Sequence, residues 1–119
     1  MNRWVLLEHR IFCSNFFDIH YDFLVEDQND CLTWKFYEIP SIKKSSVEIT
    51  KQPNHRLVWL SRVEYQLSNN RGLVKRIDHG TASYIYNQDL QELKIMLNGK
   101  LLRGLLTIDG NFCQLTKNN

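Results

Sequence analysis

Along this chain, apolar and polar positions alternate far more often than they recur every three or four residues. Trp4-Val5-Leu6-Leu7 is an apolar run that passes into Glu8 and His9, the mark of a buried strand. Over residues 10–18 the alternation fails, and a loop is expected. Residues 19–26 alternate cleanly. Tyr21, Phe23 and Val25 fall on one face, and His20, Asp22, Leu24 and Glu26 on the other. Asp27-Gln28-Asn29-Asp30 is a turn cluster, and residues 32–37 form the next strand, so the two strands predict a hairpin. Residues 40–46 are irregular, Val47-Glu48-Ile49 predicts a short strand, and Gln52-Pro53-Asn54 predicts a break.

Residues 55–65 are apolar and rich in strand formers, with helix as the competing reading. Residues 68–72 read as a loop. Residues 73–77 and 82–86 flank an expected turn at Asp78-His79-Gly80, and residues 87–91 turn again. Leu93-Lys94-Ile95-Met96-Leu97 meets Asn98-Gly99, the favoured pair for a two-residue hairpin turn. Residues 100–108 make a second strand, Asp109-Gly110 a second such turn, and residues 111–115 a third strand. Many short strands with little helical patterning predict a mainly β protein. The expected architecture is a small closed or partly open β-barrel of antiparallel strands, which leaves few long apolar edges.

Composition narrows the class. A length of 119 residues fits a single domain over 1–119, and 43% hydrophobic with 12% aromatic residues argues against disorder. No repeat, linker or low-complexity tract is visible. Cys13, Cys31 and Cys113 are odd in number and lack a CxxC spacing, which argues against a disulfide framework and a cysteine-based zinc site. Free thiols in a reducing cytoplasm are expected. The N-terminal apolar run is short for a signal peptide and no stretch is long enough to span a bilayer, so no membrane partner is expected. The net charge of +2 permits a phosphate-bearing partner without demanding one. Arg56, Arg62, Arg71, Lys75 and Arg76 cluster modestly, as a solvated face or as a nucleic-acid footprint.

The pattern that carries chemistry is His20-x-Asp22. Residues two apart on a strand share a face, where an imidazole and a carboxylate can converge on one metal ion or orient one another. A polar pair on a solvated face has the same spacing, and the residues alone leave both open. His9 ends one expected strand and His55 begins another; neither has a spacing that names it a ligand. No GxSxG, P-loop, HExxH or GxGxxG motif is present. Trp4, Trp34 and Trp59 read as core or rim aromatics, with base stacking as the alternative for one of them.

Several segments together resemble the 3′-phosphoesterase domain of bacterial DNA ligase D. They are Val5-Leu6-Leu7-Glu8-His9, His20-Tyr21-Asp22-Phe23-Leu24-Val25-Glu26, Leu32-Thr33-Trp34 and Asn54-His55-Arg56-Leu57-Val58-Trp59. The stretches 70–80 and 97–104 look most like the short stand-alone bacterial members of that family. The resemblance implies a β-barrel holding a divalent metal, typically Mn²⁺ with Zn²⁺ or Co²⁺ as alternatives. It implies removal of a 3′-phosphate or 3′-ribonucleotide from nucleic-acid ends in DNA repair. By position it implies His9, Asp22 and His55 as metal ligands and His20 as the catalytic histidine at the phosphate. Arg71 and Arg76 are the candidates for phosphate binding. The implied partners are a nucleic-acid 3′ end or other phosphate ester and DNA-repair proteins, for a cytoplasmic monomer. The chain departs from the family in places. Leu24 stands where the strand usually reads HYDFRLE with an arginine, Trp59 where a tyrosine is usual, and Pro53 where an acidic residue is usual. These departures imply the alternative of a catalytically degenerate module that binds nucleic-acid ends or a protein.

Overall fold

A computed structural model describes residues 1–69 and 71–117. The strands, in chain order, are β1 (Asn2–Cys13), β2 (Phe16–Glu26), β3 (Cys31–Phe36), β4 (Val47–His55), β5 (Glu64–Leu67), β6 (Gly72–Ala82), β7 (Tyr84–Asn87), β8 (Glu92–Asn98), β9 (Arg103–Asp109) and β10 (Phe112–Thr116). All pairings are antiparallel, in the order β5-β6-β1-β2-β3-β4-β10-β9-β8-β7. The mainly β expectation holds in its partly open form: β5 and β7 end the sheet and do not pair with each other. Among the described residues, no helix is long and apolar enough to cross a membrane.

The sheet curls about β4, which pairs with β10 at Val47 and Glu48 and with β3 from Ile49 onward. Its inner face encloses the main core. Trp4, Leu6, Phe23, Val25, Trp34 and Phe36 from one half meet Leu93, Ile95, Leu97, Leu106 and Ile108 from the other. Phe23 stacks on Phe36 with ring centroids 5.3 Å apart. A second apolar cluster lies on the outer face of the first half. It contains Val5, Leu7, Leu24, Cys31, Leu60 and Val74, with Leu57, Trp59 and Leu67 packed over it. Alternation along β2 therefore sorts residues as expected, but both faces are covered. Tyr21, Phe23 and Val25 join the inner core and Leu24 the outer cluster.

Several expectations are corrected. Residues 10–18 are not a loop. They continue the β1–β2 ladder through Arg10↔Ile19, Ile11↔Asp18, Phe12↔Phe17 and Cys13↔Phe16. Their apolar residues escape the alternation rule because Phe12, Phe16 and Phe17 lie exposed. Gln52-Pro53-Asn54 is no break but part of β4. The register slips there against β3, and the bulge accommodates a proline that has no N–H to give. Residues 55–65 form neither one strand nor a long helix, but a 3₁₀ turn at Leu57–Leu60 followed by β5. Asp78-His79-Gly80 lies within β6 rather than at a turn, beside a register shift opposite Leu6 and Leu7. Asn98 pairs with Arg103, so the β8–β9 connection spans residues 99–102 rather than two residues at Asn98-Gly99. The two-residue β9–β10 turn falls on Gly110 and Asn111, one position later than expected, because Asp109 pairs with Phe112.

Candidate metal centre

The sheet register assembles the site. His9 on β1 lies directly opposite His20 on β2, and Leu7 lies opposite Asp22. The period of two then puts the side chains of His9, His20 and Asp22 on one face, the outer one. The two imidazoles meet edge to face with ring centroids 4.7 Å apart. One donor atom from each of His9, His20 and Asp22 lies within 4.8 Å of the others. The group is largely shielded: His20 and Asp22 are each 9% exposed.

The hydrogen bonds around the trio decide where its protons sit. His9 Nε2 lies 2.7 Å from the carbonyl oxygen of Arg71. A carbonyl only accepts, so Nε2 carries the hydrogen, and in the neutral ring Nδ1 is a bare lone pair. That Nδ1 faces Asp22 Oδ2 at 3.9 Å. His20 Nδ1 donates to the Asp18 carboxylate at 3.1 Å, and its Nε2 lies 3.6 Å from Asp22 Oδ1. His9 Nδ1 and His20 Nε2 therefore converge on the two oxygens of one carboxylate. A cation completes such an arrangement, either protons on the rings or a metal ion. Burial pushes the Asp22 carboxyl above its usual range, against the pull of His20, His9, His55 and Lys35. The separations are too long for hydrogen bonds. The two distances to Asp22, 3.9 and 3.6 Å, fall within the roughly 3–4 Å between ligand atoms that each sit about 2.0–2.2 Å from a shared ion.

His55, at the end of β4, donates from Nδ1 to the carbonyl oxygen of Pro53 at 3.1 Å, leaving Nε2 free. It lines a cavity of about 60 Å³ together with Leu7, His9, Asp22, Trp59, Leu67 and Val74. The implied set of His9, Asp22 and His55 is thus gathered at one cavity. The tightest trio, however, contains His20, and His55 stands beside it. The donor chemistry fits a divalent ion that takes mixed nitrogen and oxygen ligands. Each of the three histidines has its second ring nitrogen held by a carbonyl or carboxylate, as metal-binding histidines commonly do.

Beyond Trp59 and Leu67 the surface opens into a cavity of about 720 Å³. Arg56, Arg62 and Arg71 line it with Phe12, Trp59 and Tyr65, and no carboxylate lines it. The Arg62 guanidinium lies 4.4 Å from the Trp59 ring centre and 4.0 Å from that of Tyr65. Of the basic residues singled out in the sequence, these three arginines come together. Arg76 does not join them; it lines a separate depression with Asp78, His79, Lys100 and Arg103. Arg71 reaches the site twice, by its carbonyl on His9 and by its side chain in the arginine cavity.

Sequence reasoning missed Asp18. Its signal was present, since Asp18, His20 and Asp22 are spaced two apart, but the exposed phenylalanines around it hid the strand. Leu24, where the sequence resemblance expects an arginine, is fully buried among Val5, Leu7, Cys31, Leu60 and Val74. No protein-family model matches the chain, and no curated protein matches it either.

Proposed function

We propose that the protein is a metal-dependent phosphoesterase that removes a 3′-phosphate or 3′-ribonucleotide from nucleic-acid ends, in DNA repair in the cytoplasm. The observation that carries this reading is the convergence of ring nitrogens from His9 and His20 on the Asp22 carboxylate, with His55 lining the same cavity as His9 and Asp22. Asp22 and His9 would hold the ion, with the free Nε2 of His55 completing the set. Mn²⁺ is the ion of choice, and Zn²⁺ or Co²⁺ suit the same donors. When bound, such an ion polarises a phosphoryl oxygen and lowers the pKa of water. His20, steadied by Asp18, would hydrogen-bond the phosphate and move a proton as water adds to phosphorus and the 3′ oxygen leaves. Arg71, with Arg56 and Arg62, would neutralise the phosphate charge.

The test uses primers ending in a 3′-phosphate or a single 3′-ribonucleotide, incubated with Mn²⁺ or with EDTA. The expected result is a 3′-hydroxyl product that needs the metal and disappears in His20→Ala and Asp22→Asn. Mn²⁺ should also raise the melting temperature of the wild type, because an ion that binds only the folded state stabilises it. The absence of both product and melting shift would end this reading.

One observation favours a second reading, a module that binds ends without cleaving them. The arginine that the family places on this face is a buried leucine, Leu24. That reading expects salt-dependent binding of the same primers with no product.

A further inference from the structure

The β1–β2 hairpin outruns its neighbours. β6 stops pairing with β1 at Arg10↔Leu73, and β3 begins pairing with β2 only at Tyr21↔Phe36. Gly72 ends the β6 contact at a φ of 104°, and a Cβ there would overlap the Arg10 carbonyl. Residues 11–18 therefore project as a two-stranded ribbon whose strand partners, among the described residues, lie only in each other. Isolated two-stranded ribbons are marginal in water, and this one adds a cost by exposing aromatic rings. Phe12, Phe16 and Phe17 are 58%, 59% and 58% exposed. The Phe12 and Phe17 rings lie 5.0 Å apart, tilted by 41°.

Phe12 lines both a shallow depression of about 380 Å³ at the ribbon tip and the arginine cavity beside the metal centre. Aromatic faces thus lead into a concave surface that carries three arginines and no carboxylate. Arg62 lies over both the Trp59 and the Tyr65 ring, which orders the guanidinium, and it has no carboxylate ion-pair partner among the described residues.

We propose that the hairpin tip and the arginine cavity together form a binding site for single-stranded nucleic acid, with bases stacked on the phenylalanines and phosphates on the arginines. The partner is a single strand because a duplex hides its base faces, whereas exposed rings need unstacked bases. It is a polyanion because the charge lies in a recess; a flat bilayer would meet protruding residues, not cavity-lining ones. The inference deepens the phosphoesterase reading by naming the substrate form. It rests on that reading only for which end of the strand lies at the metal centre.

The test measures fluorescence anisotropy of labelled oligothymidylate and of a blunt duplex with the full chain in EDTA, so that turnover plays no part. A tight, salt-dependent complex with the single strand is expected, and a weaker one with the duplex. Phe16→Ser with Phe17→Ser should weaken single-strand binding by about 5- to 100-fold and leave the duplex affinity unchanged. Arg62→Gln should lower the salt slope by about one. Both variants should melt as the wild type does. Equal affinity for single strand and duplex, or no effect of the phenylalanine changes, would overturn the proposal. So would phenylalanine-dependent sedimentation with phosphatidylserine vesicles without oligonucleotide binding, or a wild-type dimer that those changes dissociate. Hydrolysis of a small phosphodiester such as bis(p-nitrophenyl) phosphate tests the metal centre separately. Its loss would count against the phosphoesterase reading and not against the strand-binding site.

Discussion

The ring of His9 is oriented by the backbone of Arg71: Nε2–H donates to the Arg71 carbonyl at 2.7 Å, which turns Nδ1 toward Asp22. This contact joins β1 to the turn that precedes β6, so the tautomer of a candidate ligand is set by the fold rather than by a neighbouring side chain.

The contact separates two roles at one residue. Arg71→Ala keeps the carbonyl and removes the guanidinium. Mn²⁺ affinity should therefore stay within about twofold of wild type, while affinity for a phosphorylated primer falls by about tenfold, as for the loss of one charge-assisted contact. His9→Ala should reverse the pattern and remove metal binding. Titration calorimetry with Mn²⁺ and with primer reads both. Loss of metal affinity in Arg71→Ala would show that the side chain, not the carbonyl, supports the centre.

How much of this was legible depends on what each residue's position rests on. His20, Asp22 and Leu24 share a face by local alternation, and that face is the one the structure uses. The order of the C-terminal strands was equally local. The ribbon at residues 11–18 was not legible, because its rings are exposed and only backbone pairing holds it. The place of His55 depends on the bulge at Pro53, and a proline in a strand reads as a break. Asp78 was read as a turn residue because its buried carboxylate serves a loop more than twenty residues away in sequence. Alternation carries no signal for such a long-range contact.

Asp78 should prove the most sensitive polar residue outside the candidate metal centre. Its carboxylate accepts four backbone N–H groups, from His79 at 3.0 Å, Lys100 at 2.9 Å, Leu101 at 2.9 Å and Leu102 at 2.8 Å. It is 4% exposed, so Asp78→Ala would strand several donors of the β8–β9 loop away from water. The expected cost is about 3 kcal/mol or more, since each orphaned buried group is worth about 1–3 kcal/mol. Gly99→Ala should also destabilise, because a Cβ there would run into the same carboxylate and the Trp4 ring. Urea denaturation measures both, and a cost below about 1 kcal/mol for Asp78→Ala would contradict the accounting.

Alkaline pH should weaken the fold through Cys113. Burial in the inner core pushes its thiol up to about 12, from an ordinary value of 9.0. Between those values the folded state keeps a proton that the unfolded state has lost. Stability then falls as pH rises above 9, at up to about 1.4 kcal/mol per pH unit, and is unaffected by this group below it. Cys113→Ala should flatten that part of the profile while lowering stability at neutral pH by opening a cavity. Denaturation midpoints across the alkaline range check the slope. An unchanged slope in the variant would assign the alkaline loss to other groups.

Placing an arginine at position 24, as the sequence resemblance would have it, should fail for a reason visible in the packing. Leu24 has no exposed surface and touches an outer cluster built from Val5, Leu7, Cys31, Leu60 and Val74. Those neighbours are all apolar, so Leu24→Arg would force a guanidinium into an apolar cluster that also packs against Trp59, which lines the candidate metal cavity. The expected outcome is a loss of about 3 kcal/mol or more, with no gain in phosphoester cleavage. Leu24→Ala should cost about 2–5 kcal/mol by leaving a cavity, yet keep Mn²⁺ binding, since Leu24 contributes no donor to the centre. The two variants therefore separate chemistry from packing. If Leu24→Arg folds normally and speeds cleavage, the outer cluster can yield to a charge, and the site is a phosphoesterase lacking only that residue. If it unfolds while Leu24→Ala still binds metal, then phosphate binding as proposed would have to rest on the arginines of the neighbouring cavity, Arg56, Arg62 and Arg71.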